Sequence, residues 1–90
     1  MIQYRFKVKL NDEREYILYE KKEGKHTVVY LKPIHALYAI AQFIKSQITT
    51  EDGKTKARYY LIYKESDYAW TDQEKIAFEE AKAYLEELSS

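Results

Sequence analysis

Residues 2–10 alternate without a break. Ile2, Tyr4, Phe6, Val8 and Leu10 fall on one side, and Gln3, Arg5, Lys7 and Lys9 on the other. Period two places the two sets on opposite faces of an extended chain, so this is a strand with an apolar inner face and a basic outer one. The turn formers of "NDER" end it. "EYILYEK" and "HTVVYLK" follow as two further strands around "KEGK", where Glu23-Gly24 fits a tight hairpin. A two-residue loop there pairs Tyr19 with Val28 and Leu18 with Val29. Both strands carry apolar residues on both faces, which predicts cover on the second face as well.

The register of the first hairpin has two solutions. A loop of three or five residues puts Tyr16 and Leu18 with the core face of the first strand. A loop of two or four puts Ile17 and Tyr19 there instead, because a one-residue slip turns every side chain over.

Beyond Pro33 the period changes. "PIHALYAIAQFIKSQ" sets Ile34, Leu37, Tyr38, Ala41 and Ile44 on one helical stripe, widened by Ile40 and Phe43. Pro33 suits the first turn of a helix, where its missing N–H costs nothing. The pattern therefore predicts a helix, apolar almost all round. Asp52-Gly53 then marks a second hairpin, pairing Ile48 with Ala57 and Thr50 with Thr55. "KARYYLIYK", residues 56–64, reads as a strand with Ala57, Tyr59, Leu61 and Tyr63 inward and Lys56, Arg58, Tyr60, Ile62 and Lys64 outward.

A second helix follows. Thr71 and Glu74 have the spacing of a capping box. Ala77, Phe78, Ala81, Tyr84, Leu85 and Leu88 form its stripe, and Glu79, Glu80, Lys82, Glu86 and Glu87 face water. Two acidic residues close to the C-terminus oppose the helix dipole, so the last turn is expected to fray. The predicted order is β-β-β-α-(β)-β-α. The fold class is α+β, an antiparallel sheet of four or five strands with two helices.

Ninety residues hold one core, so residues 1–90 form a single domain. Cysteine is absent, which removes disulfides, thiolate metal sites and a cysteine nucleophile, and fits a cytoplasmic protein. The alternating start has no signal-peptide character, and "ALYAIA" is too short to cross a bilayer. Abundant Lys, Glu and Tyr beside scarce Asn and Gln point to a thermophile, an archaeon or its virus among the candidates.

The zero net charge hides a division. Residues 1–64 hold thirteen Lys and Arg against seven Asp and Glu, a net of +6. Residues 65–90 hold two against eight, a net of −6. A basic sheet with exposed tyrosines has what single-stranded nucleic acid needs, cations for phosphates and rings for bases. The candidate contacts are Arg5, Lys7 and Lys9 on the first strand and Arg58, Tyr60 and Lys64 on "KARYYLIYK". Tyr19, Lys21, Tyr30 and Lys32 extend the patch.

Catalysis has little support. His26 and His35 lack a nucleophile or carboxylate at a catalytic spacing. The two glycines both fall in turns, so no phosphate-cradling loop exists. Zinc and EF-hand patterns are missing, and nothing calls for a metal, a cofactor or a small-molecule substrate. "KARYYLIY" meets the RNP1 pattern at Lys56, Tyr60, Leu61 and Tyr63 but lacks its glycine and its third-position aromatic, and the element order differs from that of the RNA-recognition fold. The expectation is a non-enzymatic binding protein for RNA or single-stranded DNA. The alternative is a protein-interaction module or homodimer, since surplus apolar surface is commonly covered by symmetric pairing.

Overall fold

The computed structural model describes residues 1–66 and 70–89. Five strands run in chain order: β1 (Gln3–Lys9), β2 (Glu13–Glu23), β3 (His26–Pro33), β4 (Ala41–Thr49) and β5 (Thr55–Lys64). One helix, α1 (Asp72–Ser89), closes the fold. The strands form a single antiparallel sheet in the order β1-β2-β3-β4-β5. The sheet curls so that α1 meets both edge strands, β5 and β1, from its inner face.

The α+β class stands, with five strands among the described residues. The two-helix expectation does not hold. The stretch expected as the first helix is a turn followed by β4. Pro33 ends β3 opposite Tyr16, and the Ala36 N–H bonds back to the Pro33 C=O at 3.0 Å, forming a tight turn. Leu37 and Tyr38, expected on a buried stripe, are 89% and 81% exposed. From Ala41 the chain pairs with β3 on one side and β5 on the other. "AIAQFI" satisfies a period of two as well as one of 3.6, with Ala41 and Phe43 inward. The open edge of β3 decides between them, because its backbone groups need a partner.

The core lies between the inner sheet face and α1. It contains Ile2, Phe6 and Val8 of the β1 arm, Tyr16 and Leu18 of β2, and Val29 and Leu31 of β3. Ile40, Ala41, Phe43 and Trp70 join them, facing Ala77, Phe78, Ala81 and Leu85 of the helix. Leu10 alone leaves the predicted inner set of the first strand, since β1 ends at Lys9. Lys9 opposite Glu13 leaves a three-residue loop, so Tyr16 and Leu18 take the core side.

Both glycine turns form, with registers that differ from the expectation. At the first, Glu23 pairs with His26 and the loop is Gly24-Lys25. Gly24 has φ +63°, the value a type II′ turn demands at its first central position. Tyr19 therefore opposes Tyr30, not Val28. At the second, the Gly53 N–H reaches the Thr50 C=O at 2.9 Å and Gly53 sits at φ +80°, giving a three-residue turn. That pairs Ala57 with Gln47 and Ile48 with Lys56.

The helix start is as expected. The Glu74 N–H donates to Thr71 Oγ1 and the Thr71 N–H to the Glu74 carboxylate, each at 3.2 Å. Gln73, the second residue of α1, is buried. Its Nε2 donates to the Val8 C=O at 2.5 Å and the Asp12 C=O at 2.9 Å, tying the helix to the end of β1 and the β1–β2 loop. Helical structure continues to Ser89, beyond where the acidic pair was expected to fray it.

Candidate nucleic-acid interface

With α1 on the inner face, the outer face of the sheet is left to solvent and to one short loop. Lys32 Nζ donates to the Ala36 C=O at 3.0 Å, and Ile34 lines the same hollow as Ile17 and Lys32. This loop supplies part of the expected second-face cover, beside Ile17.

The register aligns the outer face into cross-strand rows. One row reads Gln3, Tyr19, Tyr30, Gln42, Tyr63 from β1 to β5. The next reads Lys21, Val28, Ile44, Tyr60. On the other side of the tyrosine row, Arg5, Ile17 and Lys32 are in line. Tyr19 and Tyr30 stack with ring centroids 5.3 Å apart and planes 21° from parallel, and the Tyr30 hydroxyl donates to Glu23. Tyr60 and Tyr63 are about half exposed.

A β-bulge places Tyr63 in this set. Gln42 pairs with Tyr63 and Phe43 with Leu61, so Ile62 is the extra residue on β5. The bulge reverses the alternation beyond it. Tyr63, expected inward, turns outward, and Lys64, expected outward, turns inward. Lys64 Nζ then lies 5.3 Å from the Trp70 ring centre and 5.2 Å from that of Phe78, a cation–π arrangement on the helix side.

Of the six candidate contacts, Arg5, Lys7, Lys9, Arg58 and Tyr60 share the outer face and Lys64 does not. They form no single cluster. β1 and β5 are opposite edges, roughly 20 Å apart measured along the curled sheet over four strand spacings. On β1, Lys7 pairs with Glu13 at 3.2 Å, and Lys9 sits opposite Glu13 in the register. Arg5 lies toward the tyrosine row, lining one hollow with Tyr19 and Lys32. On β5, Arg58 and Lys56 stand on the ribbon of β4 and β5 that overhangs β3, and Tyr60 follows them.

The charge division is also a division of faces. The outer sheet face presents Arg5, Lys7, Lys9, Lys21, Lys32, Lys56 and Arg58 against Glu13, Glu15 and Glu23. Glu79, Glu80, Glu86 and Glu87 are exposed on α1, across the molecule. Among the described residues, no group of three His, Asp or Glu is placed to hold a metal ion. No described helix is long and apolar enough to cross a membrane.

Comparison with protein-family models, with curated proteins and with solved structures finds no match.

Proposed function

We propose that this protein binds single-stranded nucleic acid, RNA or single-stranded DNA, on the outer face of its sheet. The observation that carries this reading is the row of Tyr19, Tyr30 and Tyr63, with Tyr60 one row on and Arg5, Lys21 and Arg58 to either side. Aromatic rings give splayed bases a stacking platform of any sequence, and flanking cations neutralise the backbone. The acidic helix supports the reading. It makes one side of the molecule repel a polyanion, so that approach favours the sheet. In this reading the protein is a non-enzymatic, cytoplasmic binder. The Lys- and Glu-rich, cysteine-free composition supports that setting and a thermophilic source.

Fluorescence anisotropy with labelled single-stranded RNA and DNA across a salt series tests this. Affinity should fall steeply with salt, with a log–log slope of roughly 0.7 per phosphate neutralised. Duplex DNA should bind more weakly, since its bases are already stacked. An absence of binding at low salt refutes the reading.

A second reading, a protein-interaction module, has its own observation. Tyr60, Leu61, Ile62 and Tyr63 are all between 46% and 53% exposed on an edge strand. Edge strands of soluble proteins rarely leave four such residues in succession to water.

A further inference from the structure

β5 is the last strand of the sheet, and among the described residues no strand pairs its outer side. Along residues 55–63 the edge offers its outward backbone N–H and C=O groups to a further strand. Between this edge and α1 runs a groove of about 680 Å³. Lys56, Arg58, Tyr59, Leu61, Phe78 and Lys82 are on its walls, with Lys64 at one end. Glu86 is the single carboxylate among its described lining residues. Phe78 and Phe43 form its floor, with ring centroids 6.1 Å apart, and Lys82 Nζ lies 5.5 Å from the Phe78 ring centre. The groove thus combines an unpaired strand edge, an apolar floor and cationic walls. Lys56, Arg58 and Tyr60 reach it from the outer face of β5, so the groove adjoins the β5 end of that face, whereas Tyr19 and Tyr30 lie on β2 and β3, away from it.

We propose that the groove between β5 and α1 takes an extended acidic peptide, which adds to the sheet as a sixth strand. Each feature selects part of that ligand. The open backbone ladder is completed by another peptide main chain and not by a sugar–phosphate one. The apolar floor and Leu61 take alternate side chains of the added strand, which project to one face. Lys56, Arg58 and Lys82 favour carboxylates on the incoming chain. A second copy of this protein fits poorly. Residues 55–64 contain no acid, nor do residues 3–9 on the other edge. Pairing either edge with its own or the other's copy brings cations opposite cations, which destabilises a sheet.

The test uses the whole protein and a fluorescein-labelled ten-residue peptide alternating Glu with Val. The same peptide with alternate amides N-methylated, and a Lys–Val counterpart, serve as controls. The Glu–Val peptide should bind, shifting the amide resonances of Thr55–Lys64 and of the facing turns of α1. N-methylation or exchange of Glu for Lys should each weaken binding at least tenfold. Lys56→Glu combined with Lys82→Glu should weaken it at least tenfold, and Tyr19→Ala should leave it unchanged, which separates this site from the Tyr19–Tyr30 stack of the outer face. Equal binding of the N-methylated peptide overturns the proposal. So does a shift pattern confined to β1 and β2, competition by single-stranded RNA that survives Tyr19→Ala, or concentration-dependent dimerisation through β5 in light scattering. The resonance mapping on the unaltered protein decides the matter even where a double variant fails to fold.

Discussion

Tyr19 and Tyr30 face each other across β2 and β3, in register and stacked, with their ring centroids 5.3 Å apart. Such a pair adds about 0.5–1.5 kcal/mol beyond the area it buries. The two rings are only half-buried, so the core does not depend on them. Tyr19→Ala should therefore leave the fold intact and lower stability by about 1 kcal/mol in urea melts. Its effect on single-stranded nucleic acid should be larger, since losing a base-stacking ring costs about 1–3 kcal/mol of binding. Unchanged anisotropy titrations for Tyr19→Ala and Tyr60→Ala alike would remove the tyrosine row from the site.

Gln73 offers a sharper test of the fold. Its buried amide serves two backbone carbonyls, Val8 on β1 and Asp12 on the β1–β2 loop. Gln73→Leu removes both bonds, leaving the Asp12 C=O only its long bond from the Leu10 N–H, and should cost about 1–3 kcal/mol. Gln73→Glu should cost more at neutral pH, because a carboxylate would face two carbonyl oxygens. Burial and those oxygens raise the pKa of the new group, so stability should recover as pH falls and the acid takes up its proton. A chemical-denaturation series from neutral to mildly acidic pH reads this directly.

Tyr16 predicts a gain. Its ring is fully buried, stacked 5.8 Å from Phe6, yet its hydroxyl has no hydrogen-bond partner among the described residues. An unpaired buried hydroxyl costs about 1–3 kcal/mol. Tyr16→Phe keeps the ring and removes the burden, and should raise the urea midpoint. A lowered midpoint would mean that the hydroxyl is satisfied in solution.

The alkaline limit of stability follows from the same burial. Tyr16, Tyr59 and Tyr4 all have pKa values raised above about 10, chiefly by desolvation, and for Tyr4 also by its hydrogen bond to Glu80. The folded state holds these protons more tightly than the unfolded chain. Their contribution is complete below about pH 10 and is lost as pH rises through the folded values. Unfolding by alkali should coincide with a jump in tyrosinate absorbance, and Tyr16→Phe should make the pH dependence shallower.

The helix start and the second turn give two further values. Thr71→Ala removes one half of the capping box and should cost about 1 kcal/mol. Gly53→Ala meets open space but must hold φ +80°, which costs an L-residue about 1–2 kcal/mol. Gly53→Asn should be milder, since Asn tolerates that region. Thermal melts of the three variants rank these effects.

Several elements are written in local sequence. The alternation of Ile2 through Val8, the reciprocal Thr71–Glu74 cap, and the glycines of both hairpins each depend on residues close together in the chain. These local signals located β1, both turns and α1. Tertiary structure alone decided the rest, for three physical reasons. "AIAQFI" suits two periods, and the open edges of β3 and β5 made it a strand. The turn geometry at Gly24 and Gly53 set registers that composition leaves open. The bulge at Ile62 exchanged the faces of Tyr63 and Lys64, and an inserted residue of that kind leaves no mark on an alternating pattern. The tyrosines and cations were legible as residues. Which of them share a face was settled by pairings between strands far apart in the chain.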